Sequence, residues 1–169
     1  MTAAYDEIAD WYEEQFLSGQ RSAPGHDPLG IDRALRDLLG DGGGVCLEVG
    51  CGTGVHAAVV RELGWTPVGV DVSRGMLRHA RGRLPIVRAD AGRLPVRDSS
   101  VPAVVAVMVH TDMPEYLAVL REVARVLRPG GVLVHVGIHP CFCGGFADRG
   151  DPDAVVIRPA RVPRCRYDS

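Results

Sequence analysis

The sequence predicts one α/β domain built on a mainly parallel sheet. Short apolar runs alternate with helical patterns through the middle of the chain, and this alternation is typical of parallel strands joined by crossover helices. A length of 169 residues fits one domain, since domains commonly contain roughly 100 to 200 residues. The predicted strands are Val45–Val49, Pro67–Val70, Ile86–Arg88, Ala103–Val109 and Val132–Val136.

Two helices are predicted before the first strand. Residues at helical spacing predict one amphipathic helix over Tyr5–Leu17 that lies against the sheet or a pocket. Residues 18–30 are rich in Gly, Pro and Ser, so they are predicted to connect without packed structure. The second helix covers Ile31–Leu39 and stops at Gly40. The apolar and aromatic positions of the first helix are Tyr5, Ile8, Ala9, Tyr12 and Phe16.

Two further helices are predicted between the first and third strands. The first covers Val55–Leu63 and ends at Gly64, a residue type that commonly follows a helix. The second begins after Ser73, whose hydroxyl can cap the helix, and runs to about Arg81.

The last helix has predicted signals at both ends. Asp112 is expected to cap its first amides, with Glu115 three positions later completing a capping-box arrangement. Pro129-Gly130-Gly131 should end the helix and turn the chain into the fifth strand. The predicted buried stripe is Leu117, Leu120, Val123, Ala124 and Leu127.

The composition argues against binding to nucleic acid, insertion into a membrane and secretion. A formal net charge of −2 gives no general attraction to nucleic acid. No run approaches the roughly 20 apolar residues of a membrane span, and the acidic amino terminus lacks the order of a signal peptide. We therefore expect a cytoplasmic protein without nucleic-acid or membrane partners. Every basic residue is Arg, which suggests GC-rich codons and a bacterial source.

The five cysteines predict neither disulfides nor a metal centre. Their number is odd and they form no CxxC pair, whereas disulfide frameworks and structural zinc sites use even sets and wider ligand groups. Cys141-x-Cys143 near His139 is more simply interpreted as a polar loop. Reduced thiols fit the cytosol.

A glycine-rich loop directly after the first strand is the strongest functional signal. The segment Glu48-Val49-Gly50-Cys51-Gly52-Thr53-Gly54 precedes a helical pattern, and its glycines permit a tight turn that a ligand can approach closely. Asp71 ends the second strand, where a carboxylate can accept hydrogen bonds from ribose hydroxyls. The glycine-rich loop and Asp71, at the ends of two neighbouring strands, together indicate a ligand site more specifically than the loop alone.

The spacing of the loop distinguishes between ligand classes. The dinucleotide pattern G-x-G-x-x-G would need glycine at position 55, which is Val55 here. Glu48 beside the loop would repel a pyrophosphate but attracts an ammonium or sulfonium group. These features favour S-adenosylmethionine over NAD.

Four segments resemble successive motifs of the class I S-adenosylmethionine-dependent methyltransferases. They are LEVGCGTG, GVDVS, RADAGRLPV and REVARVLRPGGVLV, and the match covers about residues 45–136. The resemblance implies a Rossmann-like three-layer sandwich and methyl transfer to a small molecule. Together with the Gly- and Pro-rich composition of residues 18–30 and of the end of the chain, it predicts a helical lid and linker over residues 1–40, a cofactor-binding core over 41–138 and an irregular segment over 139–169.

The resemblance implies roles for particular residues. The loop would wrap the methionine part of the cofactor and Asp71 would hold the ribose. Asp90 would reach the adenine amino group beside Ala91, while Val72 would flank the ring. The implied loop contacts are Glu48, Gly50, Cys51, Gly52 and Gly54.

Two residues outside the loop are further candidates. The pattern around Tyr12 resembles the lid helix of such enzymes, although an ordinary core-facing aromatic explains it equally well. His110, just past the fourth strand, would lie near the methionine end or the substrate. It can act as a base for a hydroxyl acceptor, or simply hydrogen-bond the cofactor or a loop. Asp90 likewise has a simpler interpretation as a turn cap.

The carboxyl end departs from the family pattern. The family's sheet normally has seven strands, whereas this sequence is predicted to lack the last ones. An uncovered fifth strand would offer unpaired amides and carbonyls, a route to a homodimer or to aggregation. Two alternatives remain open: a non-catalytic module that binds S-adenosylmethionine, and, less favoured because of Val55, an NAD-dependent oxidoreductase.

Overall fold

The computed structural model describes residues 3–18, 27 and 29–137. Contacts within the chain divide it after Val136, and the elements below belong to the first of the two units. Most of the connection predicted over residues 18–30 lies outside the described residues, as do His139, Cys141 and Cys143.

A sheet of five parallel strands forms the centre of the described fold, in the order β3-β2-β1-β4-β5. The chain leaves β1 toward β2 on one side and later returns to pair β4 on the other side. Ligands of open α/β sheets bind outside the carboxyl ends of the strands at such a reversal. The strands are β1 Val45–Val49, β2 Thr66–Asp71, β3 Ile86–Arg88, β4 Val101–Val107 and β5 Leu127–Val136.

Helices cover both faces of the sheet, which confirms the three-layer α/β prediction. One apolar cluster joins α2 and α3 to the face that carries Cys46 and Val105. A second joins α5 to the face that carries Leu47 and Val104. The α-helices are α1 Ala9–Trp11, α2 Ile31–Leu39, α3 Ala57–Glu62, α4 Arg74–Ala80 and α5 Tyr116–Val126.

Several local signals act as predicted. Helix α2 has the predicted bounds and ends at Gly40, whose φ is 64°. The Ser73 hydroxyl caps α4 by accepting a hydrogen bond from the Met76 amide at 3.1 Å. No helix in the described residues is long and apolar enough to span a bilayer.

The boundaries of three strands differ from prediction, and β2 is longer by one residue at each end, as Thr66–Asp71. Strand β4 ends at Val107 instead of Val109, because Met108 adopts a left-handed φ of 55° that turns the chain out of the sheet. Strand β5 begins at Leu127, and its pairing with β4 shifts register between Val101 and Ala103. This irregularity places Gly130, with φ of 75°, within the strand.

The prediction of one amphipathic helix over Tyr5–Leu17 is wrong. The segment consists of a 3₁₀ turn at Ala4–Asp6, helix α1 and π-helical turns at Tyr12–Leu17. Its buried residues are Ala9, Glu13 and Leu17, whereas Ile8 and Phe16 are exposed. The segment packs on α4 through polar contacts as well as apolar ones, so hydrophobic spacing alone did not identify its buried face.

The predicted cap of α5 is also wrong, and of its predicted buried stripe only Val123 is fully buried. The helix begins at Tyr116 after Glu115, which makes no side-chain cap. Leu117 and Leu120 are 60% and 37% exposed. The buried residues are Val119, Val123 and Val126.

A polar clamp accounts for this orientation of α5. The Glu122 carboxylate accepts a hydrogen bond from the Leu94 amide at 2.8 Å. Arg125 donates to the Val96 carbonyl at 2.8 Å and to the Leu94 carbonyl at 3.0 Å. The helix is therefore held against the loop that precedes β4, with its valine face on the sheet.

Candidate active site

The glycine-rich loop joins β1 to α3 at the carboxyl edge of the sheet. Gly50, Gly52 and Gly54 have φ values of 66°, 53° and 72°, a left-handed conformation that side chains with a Cβ rarely adopt. The amides of Gly50 and Cys51 donate to the Val70 carbonyl at 2.8 and 3.1 Å. The loop is thereby attached to the end of β2.

The three glycines have different surroundings. A Cβ on Gly50 would lie 2.5 Å from Val109 Cγ1. A Cβ on Gly54 would overlap Leu84. At Gly52 it would meet no described atom within 4 Å. Gly50 and Gly54 are therefore required by packing, and Gly52 is where the backbone is open to a ligand.

Asp71 holds the open part of this loop. One carboxylate oxygen accepts a hydrogen bond from the Gly52 amide and the other accepts one from the Ser73 amide, both at 2.8 Å. Burial raises the pKa of Asp71 despite these hydrogen bonds. Each carboxylate oxygen can accept one further hydrogen bond. Sequence reasoning assigned Asp71 to a ligand but missed its structural contact with the loop.

Glu48 is a buried carboxyl group on the central strand. The residue is only 3% exposed, and its Oε1 has no hydrogen-bond partner among the described residues. Burial raises the pKa of Glu48 to about 7, although the Arg61 charge opposes this shift. An unpartnered buried carboxyl oxygen is costly, so this position would gain from a cationic ligand.

The two carboxyl groups flank the same loop. The pKa of the Cys51 thiol is raised by burial and then by the charges of Asp71 and Glu48. The thiol itself packs between the sheet and α4, where a Cβ on Gly69 would lie 2.5 Å from its sulfur. Cys51 therefore contributes its backbone to the loop surface and its side chain to the core.

The residues assigned to adenine lie in different environments. Val72 is 52% exposed at the rim beyond β2. Asp90 is exposed, and its Oδ1 accepts a hydrogen bond from the Gly92 amide at 2.8 Å, which is a turn-capping contact. Ala91 is buried in the core with Leu94. Their contacts with adenine remain predictions.

Tyr5 connects the N-terminal segment to the segment after β4, and Tyr12 packs against Tyr5. The Tyr5 hydroxyl donates to Asp112 Oδ2 at 3.0 Å, and burial and this carboxylate raise the pKa of Tyr5 to about 12. The Tyr12 ring lies edge-on to Tyr5 with centroids 6.0 Å apart. Sequence reasoning selected Tyr12 and missed the Tyr5–Asp112 bond, which no local pattern indicates across 107 residues.

Three acids attach this segment to α4 and the turn after it, which sequence reasoning also missed. Asp6 accepts hydrogen bonds from the Ser73 hydroxyl at 2.7 Å and the Gly75 amide at 2.8 Å. Glu13 accepts two from Arg83 at 2.5 and 3.0 Å. The third acid, Asp10, contacts Arg78 and His79. The helical spacing of these acids was the available signal.

The segment after β4 brings His110 close to two other rings. The Met108 amide donates to the Val136 carbonyl at 2.7 Å. The His110 ring centroid then lies 5.3 Å from that of His135 and 6.2 Å from that of Tyr116. His110 Nδ1 is buried without a hydrogen-bond partner in the described part of the chain.

Comparisons with known proteins identify the family. A family model described as a methyltransferase domain matches residues 47–135, which is more than half of the chain. The chain belongs to the class I S-adenosylmethionine-dependent methyltransferases. The match includes the end of β1, the glycine-rich loop, Asp71 and β4 in one methyltransferase domain.

Individual relatives agree with this assignment. The methyltransferase domain is 42% identical over 97 residues to methyltransferase GfsG of Streptomyces halstedii, covering 52% of this chain and 35% of that protein. It is 36% identical over 124 residues to demethylmenaquinone methyltransferase of Corynebacterium urealyticum, covering 73% and 54%. The chain therefore spans between about a third and about half of these two relatives.

Solved structures show the same fold. An S-adenosylmethionine-dependent methyltransferase from Thermotoga maritima superposes with a TM-score of 0.63 at 28% identity, covering 78% of this chain and 58% of that one. A complex of the Haloferax volcanii Trm112 methyltransferase activator with a methyltransferase gives a TM-score of 0.64 at 25% identity, covering 77% of this chain and 59% of that one.

The methyltransferase site fits S-adenosylmethionine, the cofactor of this family. Glu48 offers an unpartnered buried oxygen, and Gly52 leaves the loop backbone open. Asp71 can accept further hydrogen bonds at the end of β2. A ligand with an ammonium, a sulfonium and a ribose is complementary to this set of groups.

Proposed function

We propose that this methyltransferase domain binds S-adenosylmethionine at the carboxyl ends of β1 and β2 and transfers its methyl group to a small-molecule acceptor. The observation that carries the proposal is the pair of carboxyl groups beside an open glycine. Glu48 lies near the end of β1, and Asp71 ends the neighbouring β2 and accepts a hydrogen bond from Gly52, where the loop backbone is accessible. Relatives named as methyltransferases support the same activity.

Each carboxylate has a distinct proposed role. Glu48 attracts the ammonium group of the methionine part, since a charge pair in a buried site is only weakly screened. Asp71 accepts the ribose hydroxyls with the oxygen lone pairs that the amides of Gly52 and Ser73 leave available. Loop contacts by Gly50, Cys51, Gly52 and Gly54 complete this proposal.

The rim of the site has proposed roles in binding adenine and excluding water. Val72 flanks the adenine ring, and Asp90 accepts a hydrogen bond from its amino group beside Ala91. Tyr12 covers the cofactor as part of the N-terminal lid, supported by its edge-on contact with Tyr5. Excluding water favours transfer of the methyl group to the acceptor over side reactions.

For this reaction the protein mainly has to position the acceptor, and no protein nucleophile is required. Bound S-adenosylmethionine supplies a methyl group activated by a sulfonium, and the protein holds a nucleophile in line with it. His110 lies beside Val109, which packs on Gly50, and this supports a place near the methyl group. We assign His110 either the role of a base for a hydroxyl acceptor or that of a neutral contact.

Calorimetry with S-adenosylmethionine tests the cofactor proposal. Asp71→Ala is expected to weaken binding at least about tenfold, a loss of about 1.4 kcal/mol. Asp41→Ala, a change at an exposed acid before β1, is the matched control and should bind like the original chain. Asp71→Asn separates effects on folding, because its amide oxygen can still accept one loop amide. Unchanged affinity in a folded Asp71→Ala variant would remove the proposal.

A non-catalytic cofactor-binding module is the second candidate. It is supported by the position of β5 at the sheet edge within the described residues, where the family sheet continues. The assay is formation of S-adenosylhomocysteine in the presence of acceptor mixtures. Turnover with any acceptor rejects this candidate, whereas tight binding without turnover supports it.

We further propose a homodimer in which β5 pairs with its copy. Among the described residues no strand pairs the outer edge of β5, and this supports the dimer because backbone groups at such an edge can pair with another chain. Light scattering of the purified chain should give twice the mass of 18.1 kDa. A monomeric mass across the micromolar range contradicts the dimer.

A bacterial, cytoplasmic setting completes the proposal. The Arg-only basic composition supports a bacterial source, as do relatives from Streptomyces and Corynebacterium. The odd number of cysteines supports a reducing compartment. Cell fractionation with an antibody to this chain tests the location, and recovery outside the cytosolic fraction contradicts it.

A further inference from the structure

A turn after β4 builds a three-ring cluster at the carboxyl edge of the sheet. Met108 adopts a φ of 55°, a strained conformation for a residue with a side chain and one that is often kept at functional sites. Its amide is bonded to Val136 at the end of β5. The turn directs the following residues toward Gly50, where Val109 and Met113 pack, and places His110 beside β5.

A hydrogen bond couples two of the rings. The Tyr116 hydroxyl and His135 Nδ1 are 2.7 Å apart, and their ring centroids are separated by 5.5 Å. His110 contacts both rings edge-on. Tilted and edge-on ring contacts at these separations form a surface on which a further aromatic ring can pack.

The cluster combines this aromatic surface with accessible polar groups. His135 is exposed, whereas His110 and Tyr116 are half-buried. When His135 donates its Nδ1–H to the Tyr116 oxygen, its Nε2 carries a free lone pair. Although the residue is exposed as a whole, partial burial of its ring and the proximity of His110 lower the pKa of His135, which favours the neutral imidazole.

We propose that His110, Tyr116 and His135 form the acceptor-binding wall and select a planar aromatic molecule that carries a hydroxyl group. This inference rests on the proposed methyl transfer and adds the class of acceptor. Tyr116 is a positioning residue that fixes the His135 ring, and His135 is the catalytic residue that contacts the acceptor hydroxyl. His110 supports the aromatic ring from the side of the glycine-rich loop.

The proposed step transfers a methyl group from S-adenosylmethionine to the acceptor hydroxyl. The acceptor O–H bond breaks, and its proton goes to His135 Nε2. An electron pair of the acceptor oxygen forms the new O–CH₃ bond. The bond between the methyl group and the sulfonium sulfur of S-adenosylmethionine breaks and leaves its electron pair on that sulfur. The exposed His135 imidazolium then releases its proton to water, which restores the neutral ring.

The first test is binding of 1-naphthol to the full chain without cofactor, followed by naphthol fluorescence. We expect saturable binding that Tyr116→Phe weakens at least about fivefold, or about 1 kcal/mol. Leu117→Ala, a change at the neighbouring exposed residue, is the control and should leave the affinity unchanged. An absence of saturable binding, or equal losses in both variants, would overturn the proposal.

The second test is turnover with S-adenosylmethionine and a matched pair of acceptors, 1-naphthol and 1-naphthylamine. Methylation of the naphthol should be faster, and His135→Gln should lower kcat by about 100-fold with little change in KM. Equal rates for hydroxyl and amine, or an unchanged kcat in His135→Gln, would contradict the inference. Calorimetry on the same samples separates this outcome from failure of cofactor binding, which would refute the proposed function itself.

Discussion

Two regions of this methyltransferase domain contain carboxyl groups whose pKa values are shifted in opposite directions. In the N-terminal segment, hydrogen bonds from Gly75 and Ser73 lower the pKa of Asp6, and those from His79 and Arg78 lower the pKa of Asp10. Beside the glycine-rich loop, burial raises the pKa of Glu48 to about 7 and that of Asp71 above its ordinary value.

This difference in pKa distinguishes acids that attach one protein segment to another from acids that are available to a ligand. The N-terminal acids have protein partners that stabilise their charged forms, so they attach one element to another. Glu48 has a buried oxygen without a partner in the described structure, which lowers stability in the absence of ligand. Buried groups with perturbed pKa values often mark functional sites for this reason.

The largest expected effect is at Glu48. Its pKa rises from 4.5 in the unfolded chain to about 7 in the folded one. The contribution of Glu48 to folding stability is therefore fully present below pH 4.5, where the carboxyl group is neutral, and is lost as pH rises through about 7. Glu48→Gln should therefore increase the free energy of unfolding at pH 8 by up to about 3 kcal/mol. Urea denaturation at pH 5 and pH 8 measures this.

The same Glu48→Gln variant should bind S-adenosylmethionine more weakly, since the ammonium group loses its counter-charge. A gain in stability combined with a loss of affinity is the expected outcome. Glu62→Gln, which removes an exposed carboxylate paired with Arg36, is the control. A variant that is less stable than the original chain at pH 8 would show that Glu48 has a stabilising partner.

An intermediate effect is expected at Glu13, the most buried acid of the N-terminal segment. Its carboxylate binds Arg83, which also donates to the Thr53 carbonyl of the glycine-rich loop at 2.9 Å. Glu13→Gln should lower the free energy of unfolding by about 1 to 3 kcal/mol, because Arg83 loses a charged acceptor. Urea denaturation measures the loss, with the adjacent exposed Glu14→Gln as control. Equal stabilities of the two variants would mean that the ion pair contributes nothing.

The smallest effect on global stability is expected at Asp10, whose contacts with Arg78 and His79 are exposed. Asp10→Asn should speed hydrogen exchange in residues 3–18 while leaving the urea midpoint nearly unchanged. The lowered pKa of Asp10 means that its contribution is present above pH 3.8 and is lost as pH falls further. Glu7→Gln is the control, and equal exchange in both variants would show that Asp10 does not attach the segment.

Local patterns predicted the sheet and the position of the loop well. Apolar runs identified the five strands of the described sheet, most clearly β1 and β4, because a strand buried on both faces needs continuous apolar sequence. Three glycines after β1 predicted a tight turn, and each has a positive φ. Ser73 capped its helix as predicted because capping depends only on residues three positions apart.

Contacts between distant residues could not be predicted in the same way. The predicted stripe of α5 contained Val123 but missed Val119 and Val126, which the Arg125 clamp also turns toward the sheet. The Tyr116–His135 bond joins a helix to a strand whose register contains an irregularity. Such contacts depend on how elements are rotated against each other, which residue spacing within one element does not specify.

The amino-acid sequence by itself determined the order of strands and helices, the bend after β1 and the carboxylates at the ends of two strands. These features follow from local backbone preferences and from the burial of short apolar runs. Only the tertiary structure decided which face of the N-terminal segment is buried, that Asp71 holds Gly52, and that His110, Tyr116 and His135 meet. Those outcomes depend on packing between distant elements, where polar contacts can outweigh hydrophobic periodicity.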